Sequence, residues 1–408
     1  MYRSSKKRIA LIGFGCVGEG VYQLLQKESS SYEVSRIVVK AKRKKRNAPK
    51  HLFQFNFEEV FNRRKTNVVI ELIDDAEVAL EVCEKAIKAG IPFISANKKM
   101  IAENLGLINE WRATFQTPVF YEAAVCAEIP VLRELNQWRE KYSISSISGV
   151  FNGTSNYILS QMTQFGIGYQ SALSKAQEKG FAESDPSSDV KGIDSLYKAT
   201  ILSSFIHSQN VDLNQSFATG IENISSADIN FAKEQGLKIK LLATILSKEN
   251  GVDYFVAPAL VSESNSAWGV ENEWNVVEIK TEMERKILIG KGAGSIPTAK
   301  AVFQNLNDVF QKHRPYPLLQ NDFKLGSKDS RLDVVFRAPR SAEARLINSF
   351  EVVGVQNVGD DVLLNAKISS KQLKQFKGSS LNDDILVFLN VDRVVKLENM
   401  KSYQYARN

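Results

Sequence analysis

The sequence has few of the residues that build disulfide scaffolds and zinc sites. Its 408 residues include only three cysteines and three histidines. Cys16, Cys83 and Cys126 are odd in number and far apart, which is typical of reduced thiols in a reducing compartment. The histidines never approach the spacing of zinc ligands. These shortages exclude a disulfide-stapled secreted domain and argue against a transition-metal site.

Long apolar runs are also absent. No run reaches the ~20 residues that a membrane-spanning helix needs, and the basic N-terminal residues lead into a short apolar run without a signal-peptide cleavage site. We therefore expect a cytoplasmic protein that does not contact a membrane. An apolar fraction of 43% and a net charge of +7 describe an ordinary globular protein, and 408 residues predict two or three domains.

A glycine motif follows the first predicted strand. Residues 8–12 read as a buried strand, and Gly13, Gly15 and Gly18 then form G-x-G-x-x-G at the start of a helical pattern. Such glycines allow a tight turn, close approach of a pyrophosphate and close helix packing, and the phosphates lie at the helix N-terminus. We predict a Rossmann-type dinucleotide site that includes Cys16 and Val17. An ordinary glycine-rich turn is the alternative.

The second predicted strand, residues 34–39, is followed by a basic run and not by an acid. NAD-binding folds usually place Asp or Glu there to accept hydrogen bonds from the ribose. Here residues 40–46 supply cations, among them Lys40 and Arg43, which would suit a 2′-phosphate. The run therefore favours NADP over NAD. A solvated loop is the alternative, and no nucleic acid partner is expected because no binding motif accompanies the run.

Two further buried strands are predicted at residues 66–73 and 93–95, with a helix at 76–89 between them. The second strand ends in Ser95, and an Ala-Asn-Lys turn brings Lys98 directly after it. Ligands bind beyond the carboxyl ends of parallel strands, so Ser95 and Lys98 are candidates for cofactor or substrate contact. The alternative for Lys98 is a solvent-exposed lysine at a helix start.

A loop rich in carboxylates precedes the most informative helix. Glu183, Asp185 and Asp189 lie in the loop, and Asp194 and Lys198 follow four residues apart on the helix, so they share one face. Such a group could hold a small zwitterion and move a proton. The alternative is a capped surface helix with an ordinary ion pair.

Seven stretches taken together resemble the homoserine dehydrogenase family, over roughly residues 8–308. They are IALIGFGCVGEGV, ISANKKMIAEN, YEAAVCAEIPVLREL, ISGVFNGTSNYILSQM, AQEKGFAESDPSSDVKGIDSLYKATIL, IKLLA and GKGAGSIPTAKAV. The resemblance implies NAD(P)-dependent interconversion of L-homoserine and L-aspartate 4-semialdehyde, on the route to threonine, methionine and isoleucine.

The resemblance also implies residue roles. Lys198 matches the proton-transfer lysine, Asp194 the aspartate at the substrate hydroxyl, and Lys98 a lysine shared by cofactor and substrate. Whether Lys198 acts as a base or mainly orients the substrate stays open, because Asp194 favours the ammonium form. The remaining matches face the substrate or the nicotinamide: Glu183, Asp189 and Thr154 on the substrate side, and Gly180 and Gly292 on the cofactor side.

A monovalent cation is a further implication of the resemblance. In the family, main-chain carbonyls of one loop hold Na⁺ or K⁺, and the matching positions here are Glu122, Val125, Ala127 and Ile129. Cys126 and Glu128 stand in that loop, where the family often has glycine-rich sequence.

The expected fold class is α/β with three domains. A Rossmann-type dinucleotide-binding domain covers residues 1–128 and is completed by about 295–315, and an α+β substrate and dimerisation domain covers 129–294. Within it we predict a helix or strand at 237–246 and β structure at 254–260, 268–270 and 275–279. The resemblance implies a homodimer or a higher homo-oligomer.

Residues 316–408 are expected to form a small C-terminal α+β domain. Their pattern is β-α-β-β-α-β, the order of a ferredoxin-like fold. Some family members use such a module to sense an amino acid. A domain that only braces the dimer is preferred here, because the order of elements alone does not indicate a ligand site.

Two other functions compete with the enzyme. A non-catalytic NADP-binding regulator on the same scaffold would have lost Lys98, Lys198 or Glu183, and none is lost. A dehydrogenase for a neighbouring hydroxy-amino acid is the other alternative.

Overall fold

The structure is a computed structural model that describes residues 6–41, 45–248, 251–311, 316–319, 330–377 and 385–392. Arg43, one of the expected cofactor residues, lies outside the described residues. The described residues form two sheets with helices packed on them. No helix in these ranges is both long and apolar enough to cross a membrane.

The first sheet is built from the N-terminal part of the chain. Its elements are β1 (Lys7–Ile12), α1 (Cys16–Lys27), β2 (Tyr32–Val38), β3 (Phe53–Gln54), β4 (Val68–Glu71), α2 (Ala76–Lys88), β5 (Phe93–Ser95), α3 (Lys98–Phe115) and β6 (Val119–Phe120). The strands pair in parallel in the order β3-β2-β1-β4-β5-β6. This is the order of the dinucleotide-binding fold, and ligands bind beyond β1 and β4, where the order reverses.

The strands of this sheet are apolar along their length because both of its faces are covered. Val68, Val69 and Ile70 are fully buried in β4, and Ile9 to Leu11 are fully buried in β1. Parallel sheets buried on both faces typically have such continuous apolar strands. The expected Rossmann-type sheet is confirmed.

The second sheet begins with residues that follow the first. The elements are α4 (Val131–Trp138), β7 (Ile144–Val150), α5 (Gly153–Phe165), α6 (Tyr169–Glu178), α7 (Ser187–Val190), α8 (Ile193–His207), α9 (Ser226–Glu234), β8 (Lys238–Lys248), β9 (Gly251–Val261), β10 (Trp274–Thr281), β11 (Arg285–Lys291) and α10 (Ser295–Phe310). Of residues 237–246, expected as helix or strand, all but Leu237 belong to β8. The β structure expected at residues 268–270 is wrong: Asn265 accepts hydrogen bonds from the amides of Ala267 and Trp268, which makes a turn.

The C-terminal elements extend the second sheet. They are β12 (Arg331–Pro339), α11 (Glu343–Ser349), β13 (Glu351–Val358), β14 (Asp361–Ser369), α12 (Ser370–Lys377) and β15 (Leu386–Asn390). The nine strands lie in the order β11-β10-β7-β8-β9-β15-β12-β14-β13. β15 joins β9 in parallel at Leu389 and Asn390, whereas the other pairs are antiparallel. The described C-terminal elements are therefore continuous with the sheet before them.

Helix α10 returns to the first sheet. Gly20 of α1 lies so close to it that a Cβ there would be 3.1 Å from the Ser295 hydroxyl. The Tyr32 hydroxyl donates to Asn307 at 2.8 Å, and the Ser295 hydroxyl donates to the Cys16 carbonyl at 2.5 Å. This packing brings the 292–294 loop beside the glycine turn and so forms one wall of the cleft described next.

Candidate active site

A cleft of about 420 Å³ lies between the carboxyl end of the first sheet and helices α5 and α8. Its walls include nine of the residues singled out from the sequence. These are Val17, Lys98, Thr154, Gly180, Glu183, Asp189, Asp194, Lys198 and Gly292. The fold thus brings to one place residues from five separate segments of the chain.

Two lysines share one carboxylate at the base of the cleft. Asp194 Oδ2 accepts from Lys198 Nζ at 2.7 Å, and Asp194 Oδ1 pairs with Lys98 Nζ at 2.9 Å. Lys198 also donates to the Phe151 carbonyl at 2.6 Å. The side chains of Asp194 and Lys198 are almost fully buried, whereas that of Lys98 is 42% exposed. The ion pair on α8 is therefore buried, and Lys98 is its more exposed neighbour on the cleft side.

The charges fix the protonation of this group. Burial alone would raise the pKa of Asp194, but the ammonium groups of Lys198 and Lys98 and the Asn152 amide hold it well below its ordinary value. Asp194 in turn raises the pKa of Lys98, against the effect of burial. Asp194 is thus a carboxylate and Lys98 an ammonium throughout the neutral range.

Lys98 is held in place by a hydrogen-bonded turn under β5. It is the first residue of α3, and Asn97 caps that helix by accepting from the Met100 amide at 2.9 Å. The Ser95 hydroxyl accepts from the Asn97 amide at 3.0 Å and donates to Glu71 at 2.5 Å. Ser95 is fully buried, so its hydroxyl supports this turn and does not line the cleft.

Asn152, which was not singled out from the sequence, connects the two aspartates. Its side-chain nitrogen donates to Asp189 Oδ1 at 2.7 Å and to Asp194 Oδ2 at 2.9 Å. Burial and the nearby Asp194 raise the pKa of Asp189, and the Asn152 hydrogen bond opposes that rise. Asn152 also caps α5, because its side-chain oxygen accepts from the Ser155 amide at 2.7 Å.

The remaining expected residues of the 154 and 180–183 segments also line the cleft. Glu183 is exposed, and its carboxylate has no hydrogen bond or ion pair within the described residues. The Thr154 hydroxyl donates to the Phe181 carbonyl at 2.6 Å, so it braces the 180–183 loop. Gly180 has φ +74°, which lets that loop turn sharply over the cleft. This part of the cleft offers one free carboxylate to a cationic group.

The glycine turn has the shape that a bound dinucleotide needs. Gly13 has φ +103°, and a Cβ there would lie 2.4 Å from the Leu72 carbonyl oxygen. A Cβ on Gly18 would lie 2.6 Å from the Gly13 carbonyl oxygen, whereas nothing lies within 4 Å of one on Gly15. Helix α1 begins at Cys16, which is exposed. The turn therefore presents open backbone at a helix N-terminus, as phosphate binding requires.

The loop expected to hold a cation has unusual backbone. Cys126 and Ala127 both have positive φ, at 56° and 40°. Residues other than glycine rarely adopt this backbone conformation. Burial raises the pKa of the Cys126 thiol to about 11. The Glu122 carboxylate turns inward and accepts from the amides of Leu132 and Arg133, at 2.8 and 2.9 Å, and burial raises its pKa to about 7. The Glu122 side chain thus caps α4.

Comparison with known proteins agrees with this geometry. The family model for homoserine dehydrogenase matches residues 130–306, and that for the homoserine dehydrogenase NAD binding domain matches residues 13–118. The homoserine dehydrogenase of Neisseria gonorrhoeae is 33% identical over 313 residues, which cover 74% of this chain and 72% of that protein. The Corynebacterium glutamicum enzyme of that name is 34% identical over 317 residues, covering 74% and 70%.

The chain belongs to the homoserine dehydrogenase family.

Among solved structures, a homoserine dehydrogenase from Thiobacillus denitrificans has a TM-score of 0.81 and 26% identity, and the match covers 95% of this chain and 98% of that one. Homoserine dehydrogenases are oxidoreductases that act on the CH–OH group of homoserine with NAD(P). The family assignment predicted from seven sequence stretches is confirmed, and with it the class of reaction.

One buried side chain of this homoserine dehydrogenase fold lies beside the cleft, and no pattern in the sequence indicates it. Asn275 of β10 is fully buried, and its side-chain amide lies against the Cys126 thiol. A Cβ on Gly292 would lie 1.8 Å from its nitrogen. Glycine at position 292 is therefore explained by Asn275, which fills the space that a side chain there would need.

Proposed function

We propose that the cleft interconverts L-homoserine and L-aspartate 4-semialdehyde with Lys98, Asp194 and Lys198 at the reacting end. The observation that carries this proposal is the chain of contacts from Lys98 through Asp194 to Lys198 beside the glycine turn. The bound nicotinamide supplies the hydride chemistry. Everything else in the reaction is binding and proton transfer by side chains of this chain.

Lys198 is the proton donor in the direction of semialdehyde reduction. An ammonium has three N–H groups, and two of them are used on Asp194 and Phe151. The third is available to the substrate oxygen, which takes up a proton as the aldehyde becomes an alcohol. Asp194 stays ionised and holds Lys198 Nζ at 2.7 Å, which fixes the orientation of the lysine for the donor role. In the oxidation direction the step runs in reverse: Lys198 first releases one proton to solvent, and its neutral amine then takes the hydroxyl proton, or a water that it orients carries that proton to solvent.

The substrate ammonium is bound by carboxylates that line the cleft. Glu183 has a free carboxylate, and Asp189 lines the same cleft. Two acids in a cleft that Lys98 also lines suit a zwitterion, since the ammonium contacts the acids while Lys98 is available to a substrate oxygen. Thr154 and Gly180 shape this part of the cleft, and Gly292 closes the cofactor side.

NADP is the proposed cofactor. Lys40 is exposed directly after β2, and no acid follows that strand to accept from an unphosphorylated ribose. Gly13, Gly15, Cys16, Val17 and Gly18 would hold the pyrophosphate at the start of α1. The cationic run after β2 would then meet the 2′-phosphate.

We propose a monovalent cation in the 122–129 loop. The buried carbonyls of Val125 and Ala127 accept no hydrogen bond from the described residues, whereas those of Glu122 and Ile129 also accept from the Val125 and Val131 amides, at 3.0 and 2.8 Å. Carbonyls of Glu122, Val125, Ala127 and Ile129 would hold Na⁺ or K⁺, which supplies a fixed positive charge. KCl should then raise the melting temperature more than choline chloride at equal ionic strength, and equal melting temperatures would contradict the site.

A homodimer is proposed through the edge of the second sheet. β11 is the edge strand, and Ile287 and Ile289 project from it with 42% and 57% exposure. Met283, in the turn before it, is 86% exposed, and Trp274 on β10 is 41% exposed. Exposed apolar side chains grouped on one edge are typical of an interface.

For the C-terminal segment we propose a bracing role. Asp392 accepts from the amide and hydroxyl of Ser262 at 2.7 and 2.8 Å, and Arg337 pairs with Asp228 at 2.6 Å. These bonds and the pairing of β15 with β9 tie the segment to the substrate side. An unchanged rate across added amino acids, including threonine, would support this role over sensing. The three free cysteines support a reducing compartment, and we propose the cytoplasm.

The first test is turnover. Absorbance of the reduced nicotinamide is followed with L-homoserine and either NADP or NAD, beside Lys198→Ala. Turnover by the wild type that is lost in a folded Lys198→Ala supports the proposal. Tight NADP binding without turnover would favour a regulator, and a better rate with another hydroxy-amino acid would change the substrate.

A further inference from the structure

The amide of Asn152 is fully used within the cleft wall. Its nitrogen donates to Asp189 at 2.7 Å and to Asp194 at 2.9 Å, and its oxygen accepts from the Ser155 amide at 2.7 Å. The residue is 5% exposed. All three contacts come from different segments: the start of α5, the end of the carboxylate loop and the start of α8. Asn152 is therefore the point at which these segments are joined.

The orientation of this amide has only one consistent solution. Carboxylates only accept hydrogen bonds and a backbone N–H only donates, so the nitrogen must face the two acids. Its two hydrogens point about 120° apart, which places one carboxylate oxygen on each. The two acids are thereby held side by side in a defined geometry.

Asp189 depends on this contact more than Asp194 does. Asp194 is also bound by Lys98 and Lys198. The Asp189 carboxylate has no hydrogen bond other than that from Asn152 within the described residues. Burial and the charge of Asp194 raise its pKa, whereas the Asn152 hydrogen bond and the charges of Lys198 and Lys98 oppose that rise. Of the groups that favour the Asp189 charge, the Asn152 amide alone is hydrogen-bonded to it in the described residues, so its loss would free the carboxylate to turn away.

We propose that Asn152 is a positioning residue that holds Asp189 ionised and aimed at the substrate ammonium. One N–H donates to Asp189 and the other donates to Asp194. Each carboxylate therefore keeps its negative charge although the two lie close together. Asp194 then remains free to hold Lys98 and Lys198, while Asp189 serves the ammonium. The proposal rests on the proposed function, and it makes recognition of the amino group depend on a residue that does not touch it.

The test separates this role from helix capping. Asn152→Ser keeps an oxygen that can cap α5 but cannot bridge the two acids. Asn152→Asp keeps the size and the cap and loses both donors, in case the serine variant is unstable. Ser225→Ala is the matched control, because it removes the N-cap of α9, whose hydroxyl oxygen accepts from the Asp228 amide at 3.3 Å, and Ser225 does not line the cleft.

The measurement is KM for L-homoserine and for NADP, together with inhibition by 4-hydroxybutanoate, the same molecule without the amino group. Loss of a hydrogen bond to a charged group predicts about a tenfold to hundredfold rise in KM for L-homoserine. KM for NADP and the inhibition constant of 4-hydroxybutanoate should stay within about twofold, because neither involves the ammonium. Ser225→Ala should lower the melting temperature and leave all three constants unchanged.

Equal losses for L-homoserine and 4-hydroxybutanoate in a folded variant would overturn the positioning role, and so would an unchanged KM for L-homoserine. Wild-type protein without L-homoserine turnover would overturn the proposed function and this inference together. The two failures are therefore distinguishable.

Discussion

Lys198→Met removes the buried ammonium while keeping a long apolar side chain. In the structure this ammonium donates to Asp194 at 2.7 Å and to the Phe151 carbonyl at 2.6 Å. After the substitution, Asp194 still pairs with Lys98 at 2.9 Å, so the cleft keeps its shape. A positioned general acid typically contributes 10²–10⁴ in rate, which corresponds to about 3–5 kcal/mol of barrier. We expect kcat for semialdehyde reduction to fall by about a thousandfold.

The stability of this variant should change far less than its activity. Lys198→Met breaks the ion pair and leaves the Phe151 carbonyl without its donor, which should lower the free energy of unfolding by about 1 kcal/mol. The substitution also removes the desolvation penalty of a buried ammonium, which offsets this loss. Asp194→Asn is the matched contrast, because it leaves Lys198, with a side chain 6% exposed, without a counter-ion. Removing one partner of a buried pair costs about 3–5 kcal/mol.

The assay combines reduced-nicotinamide absorbance with urea unfolding of both variants. Our reasoning holds if Lys198→Met is inactive and nearly as stable as the wild type, while Asp194→Asn is clearly less stable. A Lys198→Met protein with more than about a tenth of the wild-type kcat would refute the proton-donor role. Equal stability of the two variants would refute the assignment of a charged, buried Lys198.

Three further predictions follow from charge and burial. Burial raises the pKa of Glu71 from 4.5 to about 7 in the folded state. The stability that this shift contributes is fully present below about pH 4.5 and is lost as the pH rises to 7, by about 3 kcal/mol. Because burial raises the pKa of Glu122 to about 7 as well, Glu71→Gln should remove about half of the pH dependence of stability in that window, and an unchanged slope would contradict the shift. Lys40→Glu should lower the ratio of kcat/KM for NADP to that for NAD by about tenfold. Lys50 is also exposed, and Lys50→Glu, which makes the same change of charge, should leave this ratio unchanged. Equal changes in the two variants would mean that Lys40 lies in a solvated loop and does not contact the 2′-phosphate. Ile289→Lys should shift the sedimentation coefficient of the protein towards that of a monomer. The control is Val353→Lys, because Val353 is 58% exposed on β13, the strand at the opposite edge of the sheet. A wild-type protein that sediments as a monomer would refute the interface.

Local patterns in the sequence predicted the parts of the site that depend on near neighbours. Gly13, Gly15 and Gly18 specify a turn by their spacing alone, and Asp194 and Lys198 lie on one face of a helix because they are four residues apart. The join between Lys98 and Asp194 spans 96 positions of the chain, and the residues alone could not establish it. It became an expectation only through the resemblance to the family.

Other features have no local signal. Asn152 looks like an ordinary helix cap in the sequence, and its bridge to two acids exists only after three segments have packed together. Ser95 is the last residue of a strand that ends at the cleft. Its hydroxyl nevertheless donates to Glu71, because the buried carboxylate of Glu71 needs a hydrogen-bond donor. The parallel pairing of β15 with β9 likewise could not be predicted, since either strand alone reads as an edge or an interior strand.

The continuity of the nine-stranded sheet bears on how the protein can be shortened. β9 is buried along almost its whole length. On the edge that β8 leaves open, β15 pairs with Ala259 and Leu260, and residues 217–219 bridge to Val256. A chain ended before β12 would expose the apolar end of β9 at Ala259 and Leu260 with its amide and carbonyl groups, which is the kind of surface that aggregates. The last described strand therefore protects the substrate side against edge-to-edge association.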